Sequence, residues 1–191
     1  MVDLNALRSH VAQFSHDWFP NDGSVLKCWF RARDLKFKSQ IVYLCEKHFE
    51  IIHACKDSGL VDDFYRATSE QGWSVHERVV LAVMLDQMPR NALAIGFGPY
   101  HDKDPLHIRE NISDQFSLEF ANHIRQEDIN LYQISSDERV ICFFSLIFRH
   151  SNDFEAAQNV LHLLRDSEGK LPPLAAKFLA ETVKRQQQVT I

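Results

Sequence analysis

Two stretches of this chain are apolar on every face, and whatever fold it adopts must cover both from all sides. The first, Val79-Val80-Leu81-Ala82-Val83-Met84-Leu85, follows Ser74-Val75-His76-Glu77. There Ser74 can cap a helix and Glu77 can reach back to its backbone, closing a capping box. The second, Val140-Ile141-Cys142-Phe143-Phe144-Ser145-Leu146-Ile147-Phe148, follows Ser135-Ser136-Asp137-Glu138, which offers a second box. Period alone would also allow a strand in the second stretch, since β-branched and aromatic residues are plentiful, but its cap and length favour helix. A helix without a polar face belongs in the middle of a structure, with layers packed on both sides.

The rest of the chain supplies those layers. Asp3 can cap a helix carrying Leu4, Leu7, Val11, Phe14 and Trp18 at spacings of three and four, and Pro20-Asn21-Asp22-Gly23 breaks it. A short segment over residues 25–33 carries Trp29-Phe30. Phe37, Ile41, Leu44, His48, Ile51 and Cys55 then trace another helical stripe, stopped by Asp57-Ser58-Gly59. A small helix over residues 61–68 leads to Gly72-Trp73. The apolar helix opened by Ser74 is expected to end near Met88, because Pro89 has no N–H and disfavours helical backbone at the residue before it.

Beyond Gly96-Phe97-Gly98-Pro99, Asp104 as cap and Pro105 at the first helical position start a helix with Ile108, Ile112, Phe116, Phe120 and Ile124 on one face. After the second apolar stretch, Asn152 or Asp153 can open a helix with Phe154, Ala157, Leu161 and Leu164 on one side and Gly169 just past its end. Pro172-Pro173 opens the last, through Ala175, Phe178, Leu179, Thr182 and Val183, before residues 184–188 fray. About seven helices joined by short turns, without alternating strand signals, predict an all-α fold: antiparallel helical hairpins stacked as a right-handed, tetratricopeptide-like array. One domain is expected over residues 1–191. With 45% hydrophobic residues, only 6 Gly and 6 Pro, and no low-complexity tract, nothing resembles a linker, and folding at this length buries roughly 70% of the extended chain's surface.

The net charge of −5 and the scatter of Lys and Arg argue against nucleic acid as the main partner. The apolar run at residues 79–85 is far below the roughly 20 residues needed to span a membrane. The start, Met1-Val2-Asp3-Leu4-Asn5, lacks the layout of a signal peptide, so a cytoplasmic protein is expected. Cys28, Cys45, Cys55 and Cys142 form no Cys-x-x-Cys pair and read as buried, reduced thiols.

Candidate functional residues gather in two strings. In Leu85-Asp86-Gln87-Met88-Pro89-Arg90-Asn91 an acid, two amides and an arginine crowd the end of the most apolar helix. Arg90 can pair with Asp86 and Asn91 can cap the next turn, a hydrogen-bonded corner. Alternatively Arg90, beside Gln87 and Asn91, grips the carboxylate of a ligand or peptide. The second string, Phe148-Arg149-His150-Ser151-Asn152-Asp153, again puts polar groups at the end of an all-apolar helix, and in stacked hairpins the two ends can face one another. His150 with Asp153 can form an oriented base and Ser151 can be considered as a nucleophile, although no Gly-x-Ser-x-Gly accompanies it; capping is the plainer reading.

On these strings the chain resembles the bacterial domain-of-unknown-function family 924, whose members have a tetratricopeptide-like helical fold. Residues 85–91 meet a motif of the form Leu-Asp-Gln-Phe-Pro-Arg-Asn, with Met88 for Phe. His150, Ser151, Asn152, Asp153 and Gln158 meet a later His-Ser-Glu-Asp with a following Gln, and Trp29-Phe30 meets an early Trp-Phe. The resemblance covers roughly residues 10–165. Asn152 stands where the family has an acid, and a C-terminal Gly-Arg-Phe-Pro-His-Arg-Asn element has no counterpart after Leu164. The resemblance implies the fold and draws attention to Trp29 and the two strings; it implies no reaction.

No His-Glu-x-x-His occurs, His48 and His53 lie off a common helical face, and His101, Asp102, Asp104 and His107 are ordinary loop and cap residues before they are a weak metal site. No metal and no cofactor is expected. Two functions remain open. One is a non-catalytic protein- or peptide-binding scaffold, or a subunit of a larger assembly or oligomer, with Trp18, Trp73 and Tyr100 as exposed aromatic candidates against core packing. The other is a small-molecule enzyme or sensor using Asp86, Arg90, His150 and Asp153 in one pocket.

Overall fold

The computed structural model describes residues 2–24, 36–56, 60–100, 115–126 and 135–189. Eight α-helices and one 3-10 turn are found there, and no strand among the described residues, so the fold is all-α. The helices are α1 (Leu4–Trp18), α2 (Lys38–Lys56), α3 (Val61–Glu70), α4 (Val75–Ile95), α5 (Gln115–Gln126), α6 (Glu138–His150), α7 (Phe154–His162) and α8 (Pro173–Val189).

The two apolar stretches are the middle of the molecule. Every residue of α4 from Arg78 to Pro89 is buried, and α4 packs on α1, α2, α5 and α6. In α6 every residue from Arg139 to Phe148 is buried, against α4, α5, α7 and α8. Around them α1 turns in Leu7, Val11, Phe14 and Trp18, and α2 turns in Ile41, Leu44, His48 and Cys55. Phe143 joins the layers, meeting Trp18, Phe19 and Phe178 edge-on. Cys45, Cys55 and Cys142 are buried and in no disulfide, and burial pushes the Cys45 and Cys55 thiols up to about 12.

Caps decide where several helices begin. Asp3 accepts from the N–H groups of Asn5 and Ala6, and Ser74 and Glu77 form the full capping box on α4. Glu77 is also held by Arg8 of α1, at 2.6 and 2.8 Å. Arg8 and the bonds from Ser74 bring its pKa down to about 2 against the opposing effect of burial. Replacing Ser74 by Ala removes one half of the box and is expected to lower stability by about 1 kcal/mol in chemical denaturation.

Four sequence expectations need correction. The helix carrying Pro89 does not end at Met88 but continues to Ile95, because Met88, Ala92 and Leu93 carry its buried face past the proline. It stops at Gly96, whose φ of 67° is left-handed, with the Phe97 N–H bonded back to Ala92. The second box is not formed: Asp137 caps α6, accepting from the Arg139 N–H, while Ser135 only accepts from the Asp137 N–H. The helix after it ends at His162, and Gly169 sits in a separate turn where Asp166 and Lys170 exchange bonds. Residues 184–188 do not fray but stay helical to Val189. Of the two readings open for the aromatics, Trp18 and Trp73 take core packing, and Tyr100 is half-buried. The segment at residues 25–33 with Cys28, Trp29 and Phe30, the stop at residues 57–59, and the region from His101 to the Asp104-Pro105 start and His107 lie outside the described residues.

Candidate functional site

The end of α6 is built by its own sequence. Asn152 takes φ of 61°, a left-handed conformation that asparagine tolerates better than most residues. This lets the Asp153 N–H reach the Phe148 carbonyl and the Asn152 N–H reach that of Arg149, which closes the helix. Asp153 then caps α7 through the Ala156 N–H at 3.1 Å. The Ser151 hydroxyl donates to the Ile147 carbonyl. The crowd of polar residues in this string is thus largely a helix end followed at once by a helix start.

His150 is the exception. Its partner is not Asp153 but Asp86, which its Nδ1 meets at 2.9 and 3.2 Å. The packing of α4 on α6 brings the two strings together, and Asp86 is where they meet. Asp86 is 1% exposed. Arg90 Nε, one turn on, donates to Oδ1 at 2.8 Å, and Gln87 Nε2 donates to Oδ2 at 2.6 Å. Asn91 does not cap a following turn; its amide donates to the Gln87 carbonyl within α4. Of the remaining candidates, Ser151 and Asp153 stand apart from Asp86, and Trp29 lies outside the described residues.

The electrostatics follow from this arrangement. Burial alone would push Asp86 up, but the Arg90 guanidinium and then His150 more than reverse it, and the carboxyl is held well below the usual range. His150 is pushed down to about 4, chiefly by burial, with Asp86 opposing and Arg90 reinforcing the shift. At neutral pH the ring is therefore neutral, and because Nδ1 faces a carboxylate it carries the proton. Nε2 is left as an acceptor with no partner among the described residues, on a side chain 15% exposed.

A second histidine pair has no counterpart in the sequence signals. His10 Nδ1 and His48 Nδ1 lie 3.2 Å apart, joining α1 to α2 with rings at 79°. His48 is fully enclosed and is also pushed down to about 4, by burial first and by His10 second. Between the ordinary histidine value of 6.5 and about 4, the unfolded chain binds protons that the folded chain refuses at His48 and His150. Stability therefore falls as pH drops through that window. Urea denaturation between pH 7 and pH 4 should show this loss, and His48→Gln should reduce its slope by up to about one proton.

No family model, curated protein or solved structure matches this chain. Among the described residues no group of three His, Cys, Asp or Glu is placed to hold a metal ion, and no helix is long and apolar enough to cross a membrane. A small cavity of about 140 Å³ lies on the α2 side of α4, lined by Phe49, Ile52, His53, Lys56, Pro89 and Tyr100.

Proposed function

We propose that the protein is a non-catalytic helical scaffold that binds a protein or peptide partner, and that the Asp86 joint is the lock fixing α4 against α6. The observation that carries this reading is the closure of Asp86: both oxygens are occupied by Arg90, His150 and Gln87 within the chain itself. A carboxylate so engaged orients its neighbours but has nothing left for an incoming substrate. His150, neutral and weakly basic, is a poor match for proton transfer at neutral pH, where an effective general base titrates near the working pH. Stacking of the hairpins as in tetratricopeptide-like arrays, and membership of domain-of-unknown-function family 924, belong to this proposal. Such arrays use their surfaces to hold partners.

The second reading, a small-molecule enzyme or sensor, is favoured by one observation: Asp86 orients His150 with Nε2 toward the surface. Selection from a displayed-peptide library, followed by calorimetry, separates the two. The scaffold reading expects saturable peptide binding that survives His150→Gln. A small molecule whose binding or turnover vanishes in a stably folded His150→Gln variant would put the second reading first.

A further inference from the structure

The cavity of about 140 Å³ beside Pro89 has no part in the Asp86 joint. Its floor is apolar, made by Phe49 and Ile52 of α2 and by Pro89 of α4, all three buried. A proline inside a helix has no N–H to donate and presents only ring carbons, so α4 gives the cavity an apolar wall at this point. The remaining side is the 3-10 turn Gly98–Tyr100, which follows α4. Gly98 takes φ of 58°, and a Cβ there would come within 3.3 Å of Phe49 Cε1, so glycine lets the turn close on the Phe49 ring. Tyr100 then stands edge-on to Phe49 at 6.1 Å between ring centres, and His53 tilts against the same ring at 6.0 Å. The mouth differs from the floor: His53 is exposed, and Lys56 and Tyr100 are half-buried. Among the described residues no Asp or Glu lines the cavity, and Lys56 brings a positive charge to its mouth.

We infer that this cavity is a binding site for a small aromatic acid, a single six-membered ring carrying one carboxylate, with the ring against Phe49, Ile52 and Pro89 and the carboxylate at the mouth beside Lys56. Size sets the ring count, since an apolar cavity of about 150 Å³ holds one benzene molecule. Walls that present aromatic edges and faces favour a ring over an alkyl chain. A lysine on its flexible stem can carry its charge to a carboxylate at the surface, and no lining acid opposes an anion there. The inference goes beyond the scaffold reading and does not rest on it, because α2, α4 and the turn build the cavity whatever the outer surface binds.

The test is calorimetric titration of the full chain, at pH 7 and constant ionic strength, with benzoate, with its neutral analogue benzamide and with acetate, repeated on Ile52→Trp, Tyr100→Ala, Lys56→Gln and the exposed control Lys170→Gln. Benzoate is expected to bind saturably, benzamide about threefold or more weakly, and acetate not at all. Ile52→Trp puts an indole into the space the ring needs and should abolish benzoate binding. Tyr100→Ala removes a wall at the mouth and should weaken it about tenfold. Lys56→Gln should bring benzoate to the level of benzamide, and Lys170→Gln should change nothing. If Ile52→Trp does not fold, Tyr100→Ala decides. No saturable binding of benzoate overturns the site, as does equal affinity in the parent, Ile52→Trp and Tyr100→Ala proteins. Acetate binding as tightly as benzoate overturns the ring, and benzamide binding as tightly, or indifference of benzoate to Lys56→Gln, overturns the acid. None of these failures touches the scaffold reading, which peptide selection tests separately.

Discussion

Arg90→Ala is expected to lower the free energy of unfolding by about 3–5 kcal/mol, the range for removing one partner of a buried ion pair. The size of the effect comes from what stays behind. Asp86, 1% exposed, would keep only the Gln87 amide and a neutral His150 ring, too little to replace the water it lost on folding. Arg90 itself is only 18% exposed, so the pair is not screened like a surface ion pair. The substitution also removes the positive charge that helps hold His150 down, so His150 should take up a proton more readily. A protonated His150 compensates Asp86 in part. The loss is therefore larger at pH 8 than at pH 5, where the imidazolium forms, and urea denaturation at the two pH values measures both quantities.

Phe144→Ala is expected to cost a similar amount, about 3–5 kcal/mol, for an unrelated reason. Phe144 lies in the part of α6 that is buried on every side and stacks edge-on against Phe148 at 5.4 Å between ring centres. Truncation leaves a void that α4, α5, α7 and α8 cannot all close, since each is fixed by its own contacts. A loss below about 1 kcal/mol in chemical denaturation would mean that the centre of the core lies elsewhere.

The central role of α4 and α6 was readable from residues 79–85 and 140–148, because no surface helix can be apolar all round. Local caps were readable too: Asp3, Ser74 with Glu77, and Pro173 act within a few residues of themselves. So was the Arg90 to Asp86 pair, one helical turn apart. What failed depended on tertiary packing. Pro89 breaks a helix on local grounds, yet the apolar face continuing through Ala92 and Leu93 overrides it. The sequence allows His150 to pair with the nearby Asp153, but Asp153 takes the capping role that it also offers, and the partner of His150, sixty-four positions earlier, arrives through packing of α4 on α6.

The lock at Asp86 is tested most directly by a double-mutant cycle on Asp86→Ala and Arg90→Ala, followed by urea denaturation at pH 7. If the two side chains act as one unit, the double variant loses clearly less than the sum of the two single variants, with an interaction energy in or above the upper part of the roughly 0.5–3 kcal/mol found for coupled neighbours. Losses that add to within about 0.5 kcal/mol, or an Arg90→Ala protein as stable as its parent, would contradict the lock.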